Sequence, residues 1–328
     1  MMKKTLTLLL MFAATQSLHA QSKYIQAVDE YMPAPGQFVN TLPVATADDT
    51  PQTMAEKCTE RLADGKGELV TLGAYGGYIT FHFDHPVLNV EGKHDFAVWG
   101  NAFTNNAEPA IVLVSVDENG NSLPDDTWYE LRGSEYDNPQ TIHDYTVTYT
   151  FSSLADIEWT DNKGNTGKVA RNPFHRQEYF PLWLTAEQTL TFSGARLPDN
   201  ASLSGTMYIL PAYEYGYADN QPNNNAEGCA LDIAWAVDKN GQPVQLDHVD
   251  FIRCYNAMNQ SCPGIGETST EISGAEDLNT GSDIPHGIVD VKIKNTDETA
   301  AFDLQGRPVG TRRQSHGIYI VNGKKVLY

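Results

Sequence analysis

The chain has 328 residues, 42 of them acidic and 22 basic, for a formal net charge of −20 and an isoelectric point near 4.7. Phosphate contacts need a basic face, so this balance argues against a nucleic-acid binder. Hydrophobic residues make up 41% and charged residues 20%, which supplies a large core, argues against disorder of the whole chain, and fits one large all-β domain or two smaller ones.

Residues 1–20 read as an export signal, with Lys3 and Lys4 ahead of the apolar run from Leu6 to Ala14 and cleavage expected after Ala20. That run is too short to span a bilayer, and the sequence has no later stretch long enough, so no transmembrane segment is expected. A helix is expected after Asp49 and Thr50, which can cap it. Pro51 suits its first position, Met54, Cys58 and Leu62 fall on one stripe, and Gly65 ends it.

The rest reads as strands. In 78–84, Ile79, Phe81 and Phe83 alternate with Thr80, His82 and Asp84, as in a half-buried strand. The stretch 110–116 is apolar on both faces, as a central strand would be, and 145–151 alternates Thr with Val, Tyr and Phe. Leu231, Ile233, Trp235 and Val237 alternate in the same way, and hairpin-type turns are expected at 161–164 and 238–241. The pattern predicts an all-β protein: an antiparallel β-sandwich or jelly-roll body over 21–277 with one short helix, a turn-rich linker at 278–287 and a small β tail over 288–328.

Four cysteines lie in the exported part, and an even count outside the cell favours disulfides. Cys254 is expected to pair with Cys262 across the intervening loop, leaving Cys58 with Cys229; four buried thiols acting as small hydrophobes are the alternative. No pair has the short spacing that a zinc site favours.

Two segments of the tail, 302–309 (FDLQGRPV) and 316–326 (HGIYIVNGKKV), resemble the C-terminal sorting domains of type IX secretion substrates of the Bacteroidetes. Five segments of the body, 33–42 (PAPGQFVNTL), 73–79 (GAYGGYI), 117–131 (DENGNSLPDDTWYEL), 215–220 (YGYADN) and 266–271 (GETSTE), resemble a Bacteroidetes cell-surface protein family that carries a PKD-like label. The resemblance implies an exported β-sandwich for surface capture of nutrients, and implies no reaction.

The sharpest metal candidate lies in 117–126. Asp117, Asn119 and Asn121 take the first, third and fifth places of an EF-hand-like loop, Leu123 offers its carbonyl, Asp125 fills the ninth place, and Asp126 or Glu130 supplies the last carboxylate. Ca²⁺ is therefore the expected cofactor, against a metal-free turn rich in Asp and Asn. His82, Asp84 and His85 read better as polar residues on a wet strand face than as a metal site.

The expected ligand platform is Tyr213, Tyr215 and Tyr217 with Asp219 and Asn220: flat amphipathic rings beside directed hydrogen-bonding groups. The tyrosines also have the spacing of one strand face, and core is the favoured reading of them. The five tryptophans, Trp235 above all, read as core. The sequence lacks a Gly-x-Ser-x-Gly elbow, a His-Glu-x-x-His motif and a phosphate or dinucleotide loop.

These features lead to a non-catalytic surface or secreted binding protein, calcium-stabilised, capturing a glycan or a corrinoid-like small molecule for outer-membrane uptake proteins. A carbohydrate-active hydrolase with a carboxylate pair and a structural or adhesive surface protein are the alternatives.

Overall fold

A computed structural model describes residues 21–280 and the backbone of four short strands between 301 and 327. The expected export signal and most of the expected linker lie outside the described residues. The chain divides into two units, Met1–Gly281 and Ser282–Tyr328. In the second, Ala301–Phe302, Pro308–Val309, Ile318–Val321 and Lys324–Leu327 form an antiparallel four-stranded sheet.

The described residues of the first unit form an all-β sandwich with one α-helix. The strands of its two principal sheets are, in chain order, β1 (Ala27–Met32), β2 (Tyr78–His82), β3 (Ala110–Ser115), β4 (Trp128–Leu131), β5 (Ile142–Thr150), β6 (Ile157–Asp161), β7 (Thr166–Val169), β8 (Thr189–Arg196), β9 (Ala236–Val237) and β10 (Phe251–Asn256). One sheet has the order β1-β2-β10-β3-β4-β9 and the other β7-β6-β5-β8, with every pairing antiparallel.

Alternation divides the faces of the six-stranded sheet. Ile79, Phe81, Val112, Val114, Leu131, Ile252 and Cys254 enter one apolar core together with Met54, Cys58 and Leu62 of helix α1 (Pro51–Leu62). Burial of a side chain such as Phe81 contributes roughly 1.5–3 kcal/mol. Tyr78, Thr80, Leu113, Trp128, Glu130, Arg253 and Tyr255 stand on the opposite face by the same register.

The second core lies under β5 and β8. Tyr145, Val147 and Tyr149 face inward with Leu190 and Phe192, against Tyr75, Tyr179 and Phe180. Thr146 and Thr148 face outward and pair across the strands with Ser193 and Thr191, each at 2.9 Å. The two sheets are tied by Tyr255, whose hydroxyl accepts the Ala195 N–H at 2.9 Å. A Cβ at Gly194 would lie 3.0 Å from that tyrosine ring, so glycine suits the close approach.

Helix α1 starts as expected. The Thr50 hydroxyl accepts the Thr53 N–H at 3.2 Å while the Thr53 hydroxyl accepts that of Thr50, and Asp49 takes the Lys57 ammonium at 2.7 Å. Gly65 turns the chain at φ +70° against the Tyr24 ring, where a Cβ would lie 2.8 Å from a ring carbon.

Two expectations are corrected here. Residues 231–237 are not one strand: the Asp232 carboxylate accepts the Ala234 N–H at 2.8 Å and caps a 3₁₀ turn, Ile233–Trp235, between two-residue strands. That local bond competes with the ladder, as Asp commonly does. The expected disulfides are absent: Cys58, Cys229, Cys254 and Cys262 are free and buried. Cys254 sits mid-strand in β10 with its side chain in the core, and the Cys229 thiol contacts the Gln221 carbonyl at 3.4 Å. Burial pushes all four thiols upward, Cys229 to about 11, so they behave as inert hydrophobes.

Candidate functional site

The sheet face opposite the α1 core bears a groove of about 860 Å³. Register builds its floor. Glu30, Thr80, Arg253, Leu113, Glu130 and Val237 fall in one row across β1, β2, β10, β3, β4 and β9. The opposite bank comes from His143 and Asp144 of β5 and residues 191–195 of β8, and the turn at 238–241 closes one side.

Arg253 organises one end. Its guanidinium lies 4.6 Å from the Tyr78 ring centre and 4.2 Å from that of Trp128. Its Nε donates to the Thr80 hydroxyl at 2.8 Å, and it is ion-paired with Glu30. At the other end Arg132 lies 5.0 Å from the Tyr136 ring centre and is ion-paired with Asp137, and the Tyr136 and His143 rings are 4.6 Å apart. Between them stands Glu130, half-buried, with no hydrogen-bond partner on its carboxyl among the described residues. Burial pushes it up to about 7. A groove with aromatic walls, fixed arginines and an unpaired carboxyl on its floor is suited to polar ligands with apolar faces.

The expected tyrosine platform is not assembled. Tyr217 is buried against Gly133, and its hydroxyl accepts the Glu135 N–H at 2.9 Å. The Tyr213 hydroxyl donates to the Pro198 carbonyl, and Tyr215, partly exposed, packs its ring 5.2 Å from that of Trp235. Asn220 accepts the Tyr213 N–H at 2.7 Å and donates to the Tyr213 carbonyl at 2.9 Å. Asp219, at φ +51°, accepts the N–H groups of Asn101 and Ala102 at 2.8 Å and of Glu271 at 2.9 Å. Tyr213, Tyr217, Asp219 and Asn220 are framework: their side-chain polar atoms are spent on neighbouring backbone.

The candidate calcium residues share one loop and are tied together by hydrogen bonds, but Asp117, Asp125 and Asp126 are not among the carboxylates that come within 4.8 Å of one another as a group. The Asp117 carboxylate accepts the N–H groups of Gly120, Asn121 and Ser122 at 2.8–3.1 Å, which coils the loop between β3 and β4. The Asn119 amide then reaches Asp125 at 3.2 Å and Asp126 at 3.3 Å, and the Asn121 amide reaches Asp125 at 3.1 Å. Asn121 also accepts the Leu123 N–H at 2.8 Å. Glu130 stands in the groove instead of joining this loop.

His82 and His85 take separate partners. His82 Nδ1 lies 2.9 Å from Asp29, while His85 bridges Asp84 at 2.5 Å and Asp277 at 2.8 Å. Both nitrogens of His85 therefore meet carboxylates.

One cluster was not expected from the sequence. Carboxylate oxygens of Glu108, Asp219 and Glu271 lie within 4.8 Å of one another. Glu271 accepts from the Thr71 and Ser269 hydroxyls at 2.9 and 3.1 Å and from the Asn101 amide at 3.0 Å, and Glu108 accepts the Ser269 N–H at 2.9 Å. Burial pushes all three carboxyls up, and mutual repulsion adds to the rise of Glu108 and Glu271. No family model matches the chain, and neither does any curated protein.

Proposed function

We propose that this is an exported surface or secreted binding protein whose groove captures a glycan or a corrinoid-like nutrient for outer-membrane uptake. The observation that carries the reading is the unpaired Glu130 beside the Tyr78–Arg253–Trp128 stack in an open groove of about 860 Å³. Rigid aromatic surface with a few directed polar groups fits reversible capture. The export-type N-terminus and the resemblance to Bacteroidetes surface proteins and type IX sorting domains support the setting. Titration of the full exported chain against a panel of glycans and corrinoids tests it. Binding that Trp128→Ala abolishes supports capture in this groove, and a panel without binding removes it.

The same proposal includes calcium in the loop at 117–126. What supports it is the residue types, since Asp117, Asn119, Asn121, Asp125 and Asp126 carry the hard oxygens that calcium takes and Asn119 and Asn121 already link to Asp125 and Asp126 through their amides. The ion would stiffen a loop that leads directly into β4, the strand that carries Trp128 and Glu130.

Glu130 also favours a second reading, a carbohydrate-active hydrolase with this residue as general acid. A carboxyl pushed up to about 7 is suited to that role. Release of reducing ends from a bound glycan, lost in Glu130→Gln, distinguishes the hydrolase from simple capture.

A further inference from the structure

We propose that the groove selects an uncharged sugar and that Glu130, unpaired on the groove floor between Leu113 and Val237, anchors it through a hydrogen bond to a sugar hydroxyl. The proposal rests on the capture reading and narrows its ligand class.

The charges in the groove are already spent. Arg253 is ion-paired with Glu30 and hydrogen-bonded to Thr80, and Arg132 is ion-paired with Asp137. Asp238 accepts the N–H groups of Asn240 and Gln242 at 2.8 and 2.9 Å, closing its own turn. Lys239, His143 and Asp144 remain, all exposed at the rim, one on the turn after β9 and two on β5. An anionic ligand would therefore find no free arginine fork in the groove and would approach a chain of net charge −20.

What remains unsatisfied is the Glu130 carboxyl. Its surroundings are Leu113 on β3 and Val237 on β9, its cross-strand partners, with Trp128 on its own strand and Arg253 one strand beyond Leu113. Tyr78, Arg132, Tyr136, Asp137, His143, Asp144, Asp238, Lys239 and Tyr255 are the other titratable or charged groups lining the groove. Burial is what pushes this carboxyl up to about 7, so near neutral pH it carries a proton in a large share of molecules. A neutral carboxyl donates one hydrogen bond and accepts another, the pattern that a pair of sugar hydroxyls presents in reverse. The aromatic walls suit the apolar faces of a pyranose ring.

The test is calorimetric titration of the full exported chain with cellohexaose, xylohexaose, mannohexaose and maltohexaose, and with hexagalacturonate as the acidic probe, at pH 6 and pH 8.5. A neutral hexaose should bind at pH 6, and its Kd should rise about tenfold for each pH unit above 7, because only the protonated fraction is competent. Glu130→Gln keeps a donor that does not titrate, so its Kd should be the same at both pH values; Glu130→Ala should bind weakly at both. The thermal midpoint of each variant reports folding independently.

A pH dependence retained in Glu130→Gln, or hexagalacturonate bound more tightly than every neutral hexaose, overturns the proposal and leaves capture standing. Corrinoid binding that Trp128→Ala abolishes, with no sugar bound, also overturns the sugar class alone. Absence of binding by any sugar or corrinoid overturns both.

Discussion

Glu130 and Arg253 stand in one cross-strand row with only Leu113 between them, yet the arginine is ion-paired in the other direction, to Glu30. Arg253 therefore fixes the aromatic floor without neutralising Glu130. One sheet face thus carries a rigid stacking surface and a carboxyl whose hydrogen bonding is left for a ligand.

Replacing Arg253 should cost stability through lost stacking more than lost charge. Glu30 is open to water, so the ion pair itself contributes little. Contacts with Tyr78 and Trp128 are the larger loss, about 1–2 kcal/mol in urea unfolding of Arg253→Met. Arg253→Lys keeps the charge and should recover less than half of that; full recovery would place the effect in the ion pair.

Calcium should raise the thermal midpoint of the wild-type chain, since a ligand bound only by the folded state stabilises it by about 2.7 kcal/mol at a hundred times Kd. The discriminating variants are Asp125→Asn and Asp126→Asn. Asp117 is a poor choice because its oxygens hold three backbone N–H groups that shape the loop whether or not a metal is present. Loss of the calcium response in both variants, with unchanged stability in chelator, is the expected outcome. An undiminished response would place the ion elsewhere.

Stability should be greatest in mildly acidic solution and decline toward alkaline pH. Glu267 is buried and pushed up to about 7, and Glu108, Asp219 and Glu271 are pushed the same way. A carboxyl with a raised folded-state value binds more protons folded than unfolded between its unfolded value near 4.5 and its folded one, so stability falls as pH rises through that window. For Glu267 alone the fall is about 3 kcal/mol between pH 4.5 and 7. Urea unfolding from pH 4.5 to 8.5 checks the slope, and Glu267→Gln should flatten it; a slope of opposite sign would contradict the burial account.

The four thiols should be unreactive to a disulfide-exchange reagent in the native protein and all reactive in denaturant. Reducing agent should leave the thermal midpoint unchanged. A fall of several degrees on reduction would mean that a disulfide forms after all.

The strands and the helix were legible because their signals are local. Alternation in 78–84 and 145–151 and the capping residues Thr50 and Pro51 each act within a few positions. The calcium expectation rests on a local signal too, its residues lying within ten positions of one another. The groove was not, because it depends on strand order. Thr80, Arg253, Leu113 and Glu130 are distant in sequence and become neighbours only when β10 inserts between β2 and β3. The tyrosine platform misled for a related reason: Tyr213, Tyr217 and Asn220 satisfy one another and nearby backbone, so the chemistry that suggested a ligand serves the loop itself. Glu108 and Glu271 lie 163 residues apart along the chain, and no periodicity announces their meeting.

The central claim is that the groove over β4 and β10 captures a ligand. Thermal unfolding of the full chain and of Trp128→Ala, in fixed calcium against glycans and corrinoids, tests it most directly. The account predicts a dose-dependent rise in the wild-type midpoint with one ligand class and none in Trp128→Ala, with the calcium response kept in both. An equal ligand-induced rise in the two proteins would place the site elsewhere and contradict it.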